Sequence, residues 1–185
     1  MKKIAQKKDY FFLFFIIIIF LGLKIPNYGM NTNMDSEITI FLVRHAEKVQ
    51  DNSDDPILTP EGENRADELK YILKYVDLNA IFSTPYKRTQ QTVLPTAKDK
   101  NLDIQIYKPG EKGFLEKVMN SYPGGAVLIV GHSNTIPGLA NELAGRKEFD
   151  DLNDATYDNL FIAYVFPNRQ ANIIQMHFGR HTPEK

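Results

Sequence analysis

A chain of 185 residues with 43% hydrophobic side chains can bury one well-packed core and is too short for two ordinary domains. Its formal charge is −1, but residues 1–27 hold five lysines against one aspartate, which leaves −5 on the remainder. That acidic body excludes broad nucleic-acid binding, which needs a basic face. The lack of cysteine also rules out thiolate metal sites, thiol nucleophiles, disulfides and a lipidated-cysteine anchor.

The N-terminus reads as a separate object. Lys2, Lys3, Lys7 and Lys8 precede an uncharged run at residues 10–23, YFFLFFIIIIFLGL, with the charged and apolar regions of a secretory signal. As a helix it would cover only ~21 Å, against a hydrocarbon core of about 30 Å. No small-x-small cleavage site stands out before Lys24. Residues 1–24 are therefore expected to be a signal peptide or an uncleaved membrane anchor, engaging the secretion machinery or the membrane. Cationic residues at the extreme N-terminus would stay cytoplasmic and put the domain on the far side, in the periplasm or cell envelope. Residues 25–36 follow as a polar linker, and residues 37–180 form the domain.

Along the domain, residues 37–43 predict a buried first strand, and residues 46–58 a polar loop with Asp51, Asp54 and Asp55. Those acids lack the ordered spacing and glycine of a calcium loop and are expected in a solvated turn. Thr59 caps a helix with Pro60 in its first turn and Ala66, Leu69, Ile72, Leu73 and Val76 as its apolar stripe. Residues 80–82 are a short strand. Ser83 or Thr84 is expected to cap the next helix, which Pro95 kinks or ends. Residues 104–107 predict an edge strand, and Phe114, Leu115, Val118, Met119 and Tyr122 lie at helical spacing. AVLIVG at residues 126–131 predicts another buried strand. A helix over 135–144 is closed by Gly145, and residues 157–166 and 173–178 predict an antiparallel pair. This alternation calls for an α/β three-layer sandwich with a mostly parallel sheet and an antiparallel edge.

In such sheets ligands gather beyond the carboxyl ends of the strands. Arg44 and His45 follow the first strand in IFLVRHAEK, Arg88 lies early in the helix after the second in FSTPYKRTQQT, and His132 follows the AVLIVG strand in VGHSNT. Two guanidiniums and two imidazoles near helix N-termini suit a phosphoryl group. A neutral imidazole can attack phosphorus, and phosphoryl transfer needs mainly positioning and charge neutralisation, which these residues could supply without a metal.

The ordered segments LVRHAEK, LTPEGENRA, FSTPYKRTQQT and VGHSNT resemble the histidine phosphatase superfamily, also called phosphoglycerate mutase-like, over about residues 38–178. The resemblance implies a phosphoglycerate mutase-like sandwich, with His45 as the phosphorylated nucleophile and Arg44, Arg88 and His132 as the phosphate pocket. The RHAEK form, together with GHSNT and YDNLF, is similar to small bacterial members described mainly as phosphatases.

A leaving alkoxide needs a proton. Many family members supply it from a glutamate after the second arginine, where this chain offers Glu111 in a glycine-flanked loop and, more weakly, Glu116. Ser133 and Asn134 can serve as substrate ligands or helix caps, Glu47 and Lys48 can orient the site or form a solvated pair, and His177 and His181 are expected to be structural or solvent-facing. Only a few dozen residues separate Arg88 from His132, so little chain is available for a lid, and an open pocket favours transfer to water. The reading is a phosphomonoesterase or protein-phosphohistidine phosphatase without cofactor or metal, acting on a phosphorylated small molecule or phosphoprotein. The alternatives are a mutase-like phosphotransferase and a binding module that has lost turnover.

Overall fold

The computed structural model describes residues 37–182, and the apolar run 10–23 with its expected export role lies outside them. Among the described residues no helix is long and apolar enough to cross a membrane. The elements are β1 (Ile38–Arg44), α1 (Pro60–Ile72), β2 (Ala80–Ser83), α2 (Lys87–Lys100), β3 (Ile104–Ile106), α3 (Phe114–Ser121), β4 (Ala126–Gly131), α4 (Thr135–Ala144), β5 (Asn159–Val165) and β6 (Ala171–His177).

One sheet runs in the order β3-β2-β4-β1-β5-β6. The first four strands of that order pair in parallel, while β5 is antiparallel to both β1 and β6. Strand β1 lacks a polar alternation because both its faces are covered. Ile38, Ile40 and Leu42 pack with Phe114, Leu115 and Val118 of α3 and Ile136 and Ala140 of α4. Phe41 and Val43 pack on the other side with Leu69 of α1 and Val93 and Ala97 of α2. The result is a three-layer α/β/α sandwich. Ile40, Leu42, Leu128 and Ile129 are fully buried, and truncating any of them to alanine would cost about 2–5 kcal/mol.

Several local expectations are corrected. Helix α1 ends at Ile72, which is exposed, so Val76 meets the core from beyond the helix. Helix α2 does not end at Pro95 but runs on to Lys100, where Asn101 closes it in the left-handed conformation with φ 53°. It starts at Lys87 with Tyr86 at the cap position and no side-chain bond from Tyr86. The cap comes from the acidic loop instead, where Asp55 Oδ1 accepts the Lys87 amide at 2.8 Å. Asp55 is thus tied to a helix N-terminus, where a carboxylate is favoured, and is not part of a merely solvated turn.

This topology fixes where function can sit. The parallel strands β1, β2 and β4 release residues 45, 84 and 132 at one end of the sheet, and β5, running the opposite way, brings residues 153–158 to that same end.

Candidate active site

His45 is held by backbone on both sides. Its amide extends the β1–β4 ladder by donating to Gly131 O at 2.9 Å, and its Nδ1 lies 2.8 Å from Ala46 O. A carbonyl only accepts, so Nδ1 carries the proton and Nε2 keeps its lone pair. The Ala46 amide in turn donates to Thr92 Oγ1 at 2.9 Å, and that hydroxyl donates to Arg88 O at 2.7 Å. Burial of the ring lowers its pKa to about 3. The Ala46 carbonyl opposes that shift, and Arg44, Arg88 and His132 add to it. His45 is therefore neutral at pH 7.

The His132 ring lies 5.6 Å from that of His45, edge-on. Its Nε2 is 3.0 Å from Thr84 Oγ1, which donates to Thr89 Oγ1 at 2.9 Å. Thr89 spends its own proton on the carbonyls of Thr84 and Tyr86. The direction of this chain makes Nε2 the donor on His132 and leaves Nδ1 facing Arg88 Nη2 at 3.5 Å. Burial, then Arg88 and Arg44, lowers the His132 pKa to about 4.

The two arginines are held differently. Arg44 Nη1 donates to the carbonyls of Asn153, Asp154 and Thr156, and its guanidinium carbon sits 4.3 Å from the Tyr157 ring centre. Arg88 stacks on Tyr86 at 4.5 Å and reaches Asp55 at 4.0 Å. In both, the Nε–H is buried without an acceptor among the described residues. Two guanidiniums beside two neutral imidazoles make a cradle for an oxyanion.

The remaining expected residues lie elsewhere or act differently. Glu47 forms no pair with Lys48; it makes a bidentate ion pair with Arg65 of α1, the shortest contact being 2.7 Å. Gly62 is required there, since a Cβ on it would come within 2.2 Å of Glu47 O. Ser133 O accepts the Leu152 amide, and neither Ser133 nor Asn134 caps α4 through its side chain. The hydroxyl of Thr135 accepts the His132 amide instead, at 2.8 Å. Glu111 is exposed, 3.3 Å from the Lys108 amide, and it lines a cavity of ≈ 490 Å³ shared with Thr135 and Glu142. Glu116, also exposed, lines a different cavity with Met119 and Arg169.

The sequence reading gave no role to Tyr86, Thr92 or Tyr157, and took Thr84 only as a candidate helix cap, a position that Tyr86 occupies. Tyr86 packs edge-on against His132 at 5.1 Å, and Tyr157 lies 6.0 Å from His45. Tyr157 stood in the quoted YDNLF segment, but only the antiparallel placement of β5 shows why it reaches this end of the sheet.

A model of the histidine phosphatase superfamily (branch 1) matches residues 40–108, the stretch that carries Arg44, His45 and Arg88. No curated protein matches the chain. Among solved structures it is similar to the protein histidine phosphatase SixA complexed with tungstate, with TM-score 0.62 and 18% identity over 75% of this chain and 96% of that one. It is also similar to YhfR of Bacillus stearothermophilus, with TM-score 0.60 and 17% identity over 74% and 95%. Mycobacterial hydrolase 2 gives TM-score 0.60 and 12% identity over 80% and 92%. At these identities the likeness is one of fold, and it is the sandwich described above. The family match runs through the first strand and the histidine that follows it, so over residues 40–108 the chain is similar to the histidine phosphatase superfamily.

Proposed function

We propose that the chain is a small phosphomonoesterase of the RHAEK type that works through a phosphohistidine on His45. The observation that carries this reading is the state of His45: neutral, its Nδ1–H fixed on Ala46 O, so that Nε2 keeps its lone pair, with the charges of Arg44 and Arg88 near enough to act on the ring. In the first step Nε2 attacks phosphorus, the P–O ester bond breaks, and its electron pair leaves on the alcohol oxygen, which takes a proton. In the second step water attacks phosphorus, the N–P pair returns to Nε2, the water proton passes to a base, and inorganic phosphate departs. Arg44, Arg88 and His132 offset the charge on the equatorial oxygens. Glu111 is assigned the proton in both steps, and Ser133 a place beside the bound ester.

The substrate class is a phosphorylated small molecule or phosphoprotein. Phosphohistidine proteins are included because a nitrogen leaving group departs with less acid assistance, and because the fold is shared with SixA, named a protein histidine phosphatase. The N-terminal sequence supports a location outside the cytoplasm, with cleavage of residues 1–24 left to be read from the mass of the native N-terminus.

The test is turnover of an activated aryl phosphate together with trapping of label on the protein. Acid-labile, base-stable label on the wild type, and neither label nor turnover in His45→Ala, is the expected result. Ordinary turnover in that variant would end the proposal. Release of an isomerised ester in place of phosphate would favour a phosphotransferase, and tight ester binding with no label a binding module.

A further inference from the structure

At the start of β5, next to Tyr157, a second histidine pair converges on one carboxylate. Asp158 is fully buried and ends the loop before β5. Its Oδ2 lies 3.3 Å from Nδ1 of His177, the last residue of β6. The same oxygen lies 3.1 Å from Nδ1 of His181 in the following segment. Gly179, in the left-handed conformation with φ 69°, turns the chain between them so that both imidazoles face the same oxygen. One ligand atom from each of the three residues lies within 4.8 Å of the others.

Two features distinguish this cluster from ordinary surface polarity. A tetrahedral ion with bonds of about 2.0–2.2 Å separates neighbouring ligands by about 3.3 Å, and the two observed N···O distances of 3.1 and 3.3 Å are near that value. The carboxylate is oriented from behind, with Thr182 Oγ1 donating to Oδ1 at 2.6 Å and the Thr182 amide to Oδ2 at 3.1 Å, as outer-shell partners orient a ligating carboxylate.

We propose that Asp158, His177 and His181 form a binding site for a divalent transition metal, of which Zn²⁺ is the best fit. Two imidazoles and one carboxylate suit a borderline cation better than Ca²⁺ or Mg²⁺, which prefer oxygen donors. Each ring switches tautomer as the ion enters, the Nδ1 proton being replaced by one on Nε2 through solvent so that a neutral imidazole ligates, and water fills the fourth position. The ion clamps the start of β5, the end of β6 and the segment after it. It lies one residue from Tyr157, on which Arg44 stacks. Its role is therefore to brace the phosphate site through Tyr157 and not to enter the transfer. The proposal does not depend on the phosphatase reading.

Equilibrium dialysis of the full-length chain against Zn²⁺, with Co²⁺ absorption as a geometry probe, tests it. The expected result is one ion per chain and a four-coordinate Co²⁺ spectrum, both retained in His45→Ala. In His181→Ala, where the side chain is exposed, affinity should fall more than about 100-fold, since even outer-shell losses cost about 10–100-fold. His177→Ala should behave likewise, with circular dichroism reporting the fold of each variant. Absence of saturable binding, binding unchanged in both variants, or binding lost in His45→Ala would overturn the proposal, the last by moving the ion to the other histidine pair.

Discussion

Glu47, three residues past β1, and Arg65, in the middle of α1, close a bidentate ion pair that ties the site loop to the rest of the molecule. Arg65 is 3% exposed and also donates to Phe178 O at 2.9 Å and Arg180 O at 2.8 Å. The pair thus joins the loop after His45, helix α1 and the segment after β6. Replacing Glu47 with alanine would strand a buried guanidinium. A loss toward the lower end of about 3–5 kcal/mol is expected, because Glu47 itself retains 20% exposure. Urea unfolding of Glu47→Ala and Glu47→Gln measures it, with glutamine keeping part of the hydrogen bonding.

Thr92 is 1% exposed and is the acceptor for the Ala46 amide. Thr92→Val keeps the shape and leaves that buried N–H unpaired, at about 1–3 kcal/mol. Because Ala46 O orients His45, kcat should fall while KM changes little. Thr92→Ser should restore both stability and turnover, which separates loss of the hydroxyl from loss of volume.

The two neutral histidines predict an acid-side loss of stability. With pKa values of about 3 and 4 in the folded chain against ~6.5 unfolded, the unfolded state binds more protons between these limits. Stability from these groups is complete above pH 6.5 and declines as pH falls toward 3. His45 contributes at most about 1.4 kcal/mol per pH unit in that window. Unfolding free energies measured from pH 7 to 4 should show a shallower slope in His45→Asn than in the wild type; an equal slope would mean that the imidazole is already charged in the fold.

Arg88 differs from Arg44 in that fewer protein groups claim it, so its removal should act on substrate more than on folding. Arg88→Ala is expected to lower kcat/KM for an aryl phosphate by about 10²–10³, the scale for losing one donor to a developing oxyanion. Arg88→Lys should recover little, because a point charge replaces the buried Nε–H and the planar stack on Tyr86.

If Glu111 delivers the leaving-group proton, Glu111→Gln should slow hydrolysis of an alkyl phosphate by about 10²-fold and spare an activated aryl phosphate, whose oxygen departs unaided. Equal rates on both esters would remove Glu111 from the chemistry and leave it as a loop residue.

Much of the fold was legible because its determinants are local. Four consecutive apolar residues before Arg44 specify a strand covered on both faces, Pro60 after Thr59 specifies a helix start, and parallel strand order alone sends residues 45, 84 and 132 to one sheet end. Contacts between distant segments were not legible in that way. Asp55 read as a solvated acid until the fold set it over the Lys87 amide, and Glu47 had no visible reason to choose Arg65 over its neighbour Lys48. The tautomer of His45 depends on where Ala46 O points, and the position of Tyr157 on the antiparallel turn of β5 into the sheet. Periodicity and turn chemistry act over a few residues and can be read from the chain. A hydrogen-bond direction, a burial-driven pKa or a shared carboxylate between His177 and His181 requires groups brought within about 3 Å across many intervening residues, and only tertiary packing decides that.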